Sequence, residues 1–126
     1  MPGILPLLAD LGRFSNTTNE LLAGLLGGGM CLGSAKLELD TDLSTPMPAR
    51  PEGTKYALII AEANASTVDT SRIIRYKMDG TDPDATNGMP MGDLTAIEVY
   101  YEANLANLRF IRLEAFTQSL QILFFG

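Results

Sequence analysis

The spacing of apolar residues changes from a helical to a strand period near residue 35 of this 126-residue chain. Before that point, apolar residues recur at helical spacing, as in the run from Ile4 to Phe14. Thr17 and Glu20 then have the spacing of a capping box, which predicts a short helix that Gly27–Gly29 would end. We therefore predict that residues 1–34 form an N-terminal arm that is apolar and partly helical.

The arm needs a surface on which to bury its leucines. Helices of about ten residues are marginal in water, because nucleation costs more than so few hydrogen bonds return. The arm must therefore dock, either on its own β domain or on another subunit. The candidate partner-binding leucines are Leu21, Leu22, Leu25 and Leu26.

From Ala35 onward the apolar period becomes 2, and turn residues recur roughly every 8–12 positions. This pattern predicts a mainly β fold, a compact antiparallel β-sandwich or barrel over residues 35–126. The expected strands are Lys36–Asp40, Lys55–Glu62, Arg72–Met78, Thr95–Tyr101, Leu108–Glu114 and Ser119–Phe125.

Apolar distribution further distinguishes these strands. Lys55–Glu62 is apolar on both faces, which indicates a central strand, whereas Arg72–Met78 is expected to be half-exposed. Thr95–Tyr101 is expected to place Ile97, Val99 and Tyr101 on one face. The prolines of Thr45–Pro51 lack ladder donors and exclude that segment from a central strand. The last two strands are expected to form a hairpin through Ala115–Gln118.

Two groups of residues near the strands are candidate contacts. Ser119–Phe125 is too apolar for an open edge, so it should be interior or paired with another chain, and Phe125 is a candidate partner-binding residue. Met78, Met89 and Met91 lie near one bend, where flexible thioethers would fill either a subunit contact or the chain's own core. We name Met89 and Met91 as candidate partner-binding residues.

Composition narrows the possible functions. A length of 126 residues with 46% hydrophobic content suits one domain with one core. The net charge of −6 disfavours nucleic acid and anionic membrane as partners, since both attract clustered Lys and Arg. No apolar run reaches the length of about 20 residues that spans a bilayer, so no membrane partner is expected.

The residue types offer little for catalysis. Histidine is absent, which removes the commonest general base and transition-metal ligand. Cys31 has apolar neighbours and is expected to be a small buried residue. The acidic run Asp79–Asp84 lacks the spacing of a calcium loop and is interpreted as a turn. We expect no catalytic residue, metal or cofactor.

Several short segments occur in an order that resembles known proteins. They are Tyr56–Glu62, Ile74–Pro83 with its DGTDP turn, Gly88–Met91, and Leu108–Arg112 followed by an apolar strand. Over residues 55–126 this order is similar to small structural proteins of tailed-bacteriophage virions.

The resemblance implies a compact β-sandwich without catalytic activity. It implies a capsid decoration, or cement, protein that stabilises the shell by bridging major capsid subunits, as a homo-oligomer. Its partners would be the major capsid protein or other virion proteins, with assembly in the host cytoplasm and a final location in the virion. Two alternatives remain open, a neck or tail minor structural protein and a receptor- or glycan-binding β module. A small hydrolase would need a carboxylate as its general base.

Overall fold

Eight short strands form two four-stranded antiparallel sheets in the computed structural model, which describes residues 30–126. The first sheet has the order β1-β8-β3-β6 and the second has the order β2-β7-β4-β5. The strands are β1 (Cys31–Leu39), β2 (Thr45–Pro46), β3 (Tyr56–Glu62), β4 (Ile74–Lys77), β5 (Met89–Met91), β6 (Ala96–Tyr100), β7 (Arg109–Arg112) and β8 (Gln118–Phe125). A short helix, α1 (Glu102–Asn107), joins β6 to β7.

The core lies between the sheets and is formed by alternate residues of their strands. On β8, Leu120, Ile122 and Phe124 are at most 1% exposed, as the alternating pattern predicted. They lie opposite residues of the second sheet such as Ile74 and Phe110, both fully buried. The mainly β fold is therefore confirmed, and β3 and β8 are confirmed as interior strands of the first sheet.

The position of a proline agrees with the arrangement of the strands in the second sheet. Pro46 lies on β2, an edge strand of two residues, where a missing N–H removes only one donor. Met47 resumes the pairing by donating its N–H to the Leu108 carbonyl at 3.3 Å. No helix within residues 30–126 is long and apolar enough to cross a membrane.

Four chain connections meet at one end of the sandwich, because the strands around them run in alternating directions. They comprise residues 40–44, 63–73, 92–95 and 113–117. Hydrogen bonds join them directly, as between Asp93 N–H and the Thr70 carbonyl, and an ion pair joins Asp42 to Arg112. We call this part of the molecule the loop end. The remaining connections, including α1, lie at the opposite end.

Several boundaries differ from the sequence prediction. The first strand begins at Cys31 rather than near residue 35, because residues 31–34 pair with the end of β8. Cys31 is consequently exposed rather than buried. The helices predicted before residue 30 lie outside the described residues.

The predicted hairpin between the last two strands is wrong. β7 pairs with β2 and β4 in the second sheet, whereas β8 pairs with β1 and β3 in the first. Residues 113–117 therefore cross between the sheets. An alternating strand shows which of its faces is buried, but not which sheet it joins.

The chain also leaves β6 earlier than predicted. Tyr101 adopts a φ of 74° and is 75% exposed, so it does not share the face of Ile97 and Val99. Its carbonyl accepts the Leu105 N–H and opens α1, whose Leu105 is fully buried. This short helix was not predicted.

Replacing Phe124 by alanine should cost about 3–5 kcal/mol of unfolding free energy, because it leaves a cavity between the sheets. Leu43 is 73% exposed, so Leu43→Ala serves as a control that should change stability by about 0.5 kcal/mol or less. Urea unfolding followed by circular dichroism measures both. Equal losses in the two variants would contradict the placement of Phe124.

Candidate functional site

Each connection at the loop end presents one large apolar side chain to solvent. Val68 is 88% exposed, Leu43 73%, Leu94 71% and Phe116 36%. Single exposed apolar residues are ordinary, but here all four connections at one end of the sandwich carry one.

Side chains from the start of β8 and the residues before it hold the longest of these connections in place. The Glu114 carboxylate accepts the N–H groups of Val68 and Asp69 at 3.1 and 2.9 Å. Gln118 is fully buried, accepts the Asn64 N–H at 2.8 Å and donates to the Thr67 hydroxyl at 2.9 Å. The backbone that carries Val68 is therefore anchored at several points.

The connection between β5 and β6 is fixed in the same way. Asp93 accepts the Ala63 N–H at 2.8 Å, and the Leu94 N–H donates to the Ala61 carbonyl at 2.7 Å. Gly92 lies so close to the neighbouring backbone that an added Cβ would be 2.7 Å from the Ser71 carbonyl oxygen. Leu94 itself has a φ of 62°, a conformation that is uncommon for leucine and costs of order 1 kcal/mol. The structure thus holds an exposed leucine in an unfavourable backbone conformation.

Carboxylates lie on the same connections as the apolar residues of the loop end. Asp40, Asp42, Asp69 and Asp93 are exposed on its connections. Arg112 pairs with Asp42 at 3.0 Å, which neutralises part of this charge. The hydrogen bonds from the Ser71 hydroxyl and backbone lower the pKa of Asp69, so its carboxylate is charged at neutral pH. A complementary partner would offer apolar pockets and basic groups.

The acidic run at the opposite end, Asp79–Asp84, is organised as a turn. Asp79 accepts the Thr81 N–H at 3.0 Å, Asp82 pairs with Arg109 at 2.8 Å, and Asp84 accepts the N–H groups of Thr86 and Asn87, both at 2.8 Å. Each carboxylate thus has a partner within the protein, and the partners of Asp79 and Asp84 lie two or three residues away, which supports the interpretation as a turn. Within residues 30–126, no three His, Cys, Asp or Glu side chains are grouped closely enough to hold a metal ion.

A second apolar surface covers the solvent side of β3 and β8. We call it the outer apolar face. Cross-strand pairing aligns Tyr56 with Phe125 and Leu58 with Leu123 there. The Tyr56 ring lies between Phe125, at a centroid distance of 4.7 Å, and Tyr100, at 5.1 Å, and burial raises the pKa of its hydroxyl. The outer apolar face comprises Tyr56, Leu58, Ile60, Leu123 and Phe125.

The structure separates the candidate residues named from the sequence. Met91 is 1% exposed, so its assignment as a partner-binding residue is corrected: its side chain fills the core beside Ile74, with which it pairs. Met89, two residues earlier, is 60% exposed at the end opposite the loop end. Phe125 is half-buried on the outer apolar face. The four candidate leucines of the arm, Leu21, Leu22, Leu25 and Leu26, lie outside the described residues.

The apolar residues of the loop end were not identified from the sequence. Val68, Leu94 and Phe116 are isolated apolar residues in polar turn segments. That isolation is a usable signal, because such residues have no periodic neighbours with which to share a buried face.

Comparisons with known proteins give no family. The chain matches no protein-family model, no curated protein and no solved structure.

Acid should weaken the turn around Asp84. A hydrogen bond from the Asn87 side chain, followed by the N–H groups of Thr86 and Asn87, holds the pKa of Asp84 well below its ordinary value of 3.8. The stabilisation is therefore complete above about pH 4 and is lost as pH falls further. Thermal midpoints measured from pH 6 to pH 2 should fall less steeply in Asp84→Asn than in the natural chain. Parallel curves would contradict this assignment.

Gln118→Leu should cost about 1–3 kcal/mol, because it keeps a similar side-chain volume but leaves the partly buried Asn64 N–H without its acceptor. Amide hydrogen exchange at Asn64 should accelerate in this variant. Gln121→Leu, on the exposed side of the same strand, is the matched control and should leave Asn64 exchange unchanged. Unchanged exchange in Gln118→Leu would show that the anchor is not needed.

Proposed function

We propose that this chain is a non-enzymatic structural protein of a bacteriophage virion. Specifically, we propose a capsid decoration protein that binds major capsid subunits through the loop end and bridges neighbouring ones. The observation that carries this proposal is the set of four exposed apolar side chains, Leu43, Val68, Leu94 and Phe116, on anchored connections at one end of the sandwich. The order of short segments over residues 55–126, which resembles small virion proteins, supports it.

Anchoring of the connections favours a binding role over a merely exposed surface. Ordering a mobile loop on binding consumes part of the interaction free energy, and a loop already held by Glu114 and Gln118 avoids most of that cost. Full burial of a Val, Leu or Phe side chain contributes about 1.5–3 kcal/mol. A few such side chains therefore supply useful affinity without any chemical step.

The mechanism of a decoration protein is thermodynamic. A protein that binds the assembled shell, and not its separated subunits, stabilises the shell by about 2.7 kcal/mol when its free concentration is 100 times its Kd. The acidic residues around the loop end would favour a basic surface on the shell and speed association at low salt. A minor structural protein of the neck or tail would use the same physics on a different virion partner.

A second candidate function is favoured by one residue. Tyr101 is 75% exposed at the end opposite the loop end, where its ring is available for stacking on a sugar. A receptor- or glycan-binding module would use this end of the sandwich. Tyr101→Ala should abolish glycan binding under that function and leave shell binding unchanged under the first.

The proposal is tested by co-sedimentation of the full chain with purified capsids of the virus that encodes it. Val68→Asp and Leu94→Asp should each weaken binding at least tenfold, since each buries a carboxylate against an apolar pocket. Aspartate also tolerates the φ of 62° at residue 94, so folding should be preserved.

Met89→Asp is the matched control: Met89 is a candidate contact from the sequence, but it is exposed at the other end of the sandwich, away from the contact proposed here. It should bind capsids as the natural chain does. Undiminished binding by both loop-end variants would refute the loop end as the contact. Absence of capsid binding by the natural chain would refute the decoration role.

A further inference from the structure

The outer apolar face is a stripe two strands wide with a polar margin on the β1 side. Its residues come from β3 and β8, the two central strands of the first sheet. On one side, β1 places Ser34 and Lys36 beside Leu123 and Gln121. On the other side, β6 borders the stripe with Tyr100, Glu98 and Ala96, of which only Glu98 is charged. A two-strand stripe is about 10 Å wide with its side chains, the diameter of one helix.

This stripe remains partly open to solvent in the described part of the chain. Leu123 is 39% exposed, and Leu58, Ile60 and Phe125 are half-buried. Three consecutive cross-strand pairs in which five of the six residues are apolar, the sixth being Gln121, are more than an antiparallel sheet normally turns toward water. Some apolar element should cover them.

The chain enters the sheet beside one end of this stripe. Met30 and Gly126 exchange backbone hydrogen bonds of 3.2 and 3.0 Å, and Cys31 pairs with Phe125. Met30, the first described residue, therefore lies beside the end of β8 that carries Phe125. Gly27–Gly29 precede this point and extend to about 10 Å, with the conformational freedom that a reversal of direction needs.

The sequence just before those glycines is apolar, as a segment that packs on the outer apolar face would have to be. Leu21, Leu22, Leu25 and Leu26 recur at the spacing of one helical face. Only Asp10, Arg13 and Glu20 carry charge among residues 1–29. Six residues of helix are about 9 Å long, which would cover about two thirds of the roughly 13 Å that five strand residues span.

We propose that the leucine segment Leu21–Leu26 packs on the outer apolar face of its own domain, after a reversal at Gly27–Gly29. The same chain is the favoured source because the segment joins the sheet at the end of the stripe itself. This cover is separate from the loop end, so it does not depend on the proposed function.

The chain contains no tryptophan, which makes a single introduced indole an unambiguous reporter. In full-length Leu123→Trp, the emission maximum should be blue-shifted and acrylamide quenching weak. Replacing Leu21, Leu22, Leu25 and Leu26 by serine in the Leu123→Trp variant should shift the emission maximum to the red and strengthen acrylamide quenching. Ile111→Trp, on the outer side of the second sheet, is the control and should respond to neither change.

The dependence of the emission on protein concentration, and the mass of the emitting species, show whether the same chain or a second copy covers the outer apolar face. The proposal requires the Leu123→Trp emission to be independent of protein concentration and to persist in a species of monomer mass by sedimentation. A blue shift that appears only with dimer formation would assign the cover to a second copy and overturn the proposal. An emission maximum unchanged by the serine substitutions would also overturn it.

A second measurement covers the case in which the serine variant does not fold. With Cys31 replaced by serine, Leu25→Cys and Leu123→Cys in one chain should form an intramolecular disulfide on mild oxidation, seen by mass spectrometry. Leu25→Cys with Lys77→Cys, on the other sheet, should not. Absence of the first disulfide, or its formation only between chains, would refute the proposal.

Discussion

The position of β8 between β1 and β3 is the constraint on which the rest of the structure depends. Its inward residues, Leu120, Ile122 and Phe124, fill the space between the sheets. Its first residue, Gln118, anchors the connection that carries Val68. Its outward residues, Leu123 and Phe125, belong to the outer apolar face. One strand thus links the core, the loop end and the outer apolar face, so the same backbone positions each of them relative to the others.

Much of this arrangement could be predicted from apolar periodicity. The period-2 pattern identified the buried face of β8, and the apolar character of both sides of β3 identified a central strand. The sheet that each strand joins could not be predicted. β7, with Phe110, and β8, with Ile122, both alternate apolar and polar residues, yet they belong to different sheets. Position along a strand was also decisive for the methionines: Met91 entered the core, whereas Met89 remained exposed.

The loop end was harder to predict for a different physical reason. Its apolar residues lie on turns whose conformations depend on contacts distant in sequence. Val68 is positioned by Glu114, and Leu94 adopts a positive φ that no local propensity of leucine favours. Conversely, the acidic run Asp79–Asp84 was interpretable from local sequence, because the Asp79–Thr81 and Asp84–Asn87 hydrogen bonds span only two or three residues. Local carboxylates therefore shape the turns, and distant ones position the loops.

The paired termini of β1 and β8 give the domain a direction of mechanical weakness. Met30 and Gly126 are hydrogen-bonded neighbours, so a force that pulls them apart would break the hydrogen bonds between β1 and β8 one after another. Tension applied between Met30 and the loop end would instead run along the strands and load the same bonds together. Hydrogen bonds that share a force resist far more of it than bonds that break one at a time. The domain is therefore best suited to carry force from one end of the sandwich to the other.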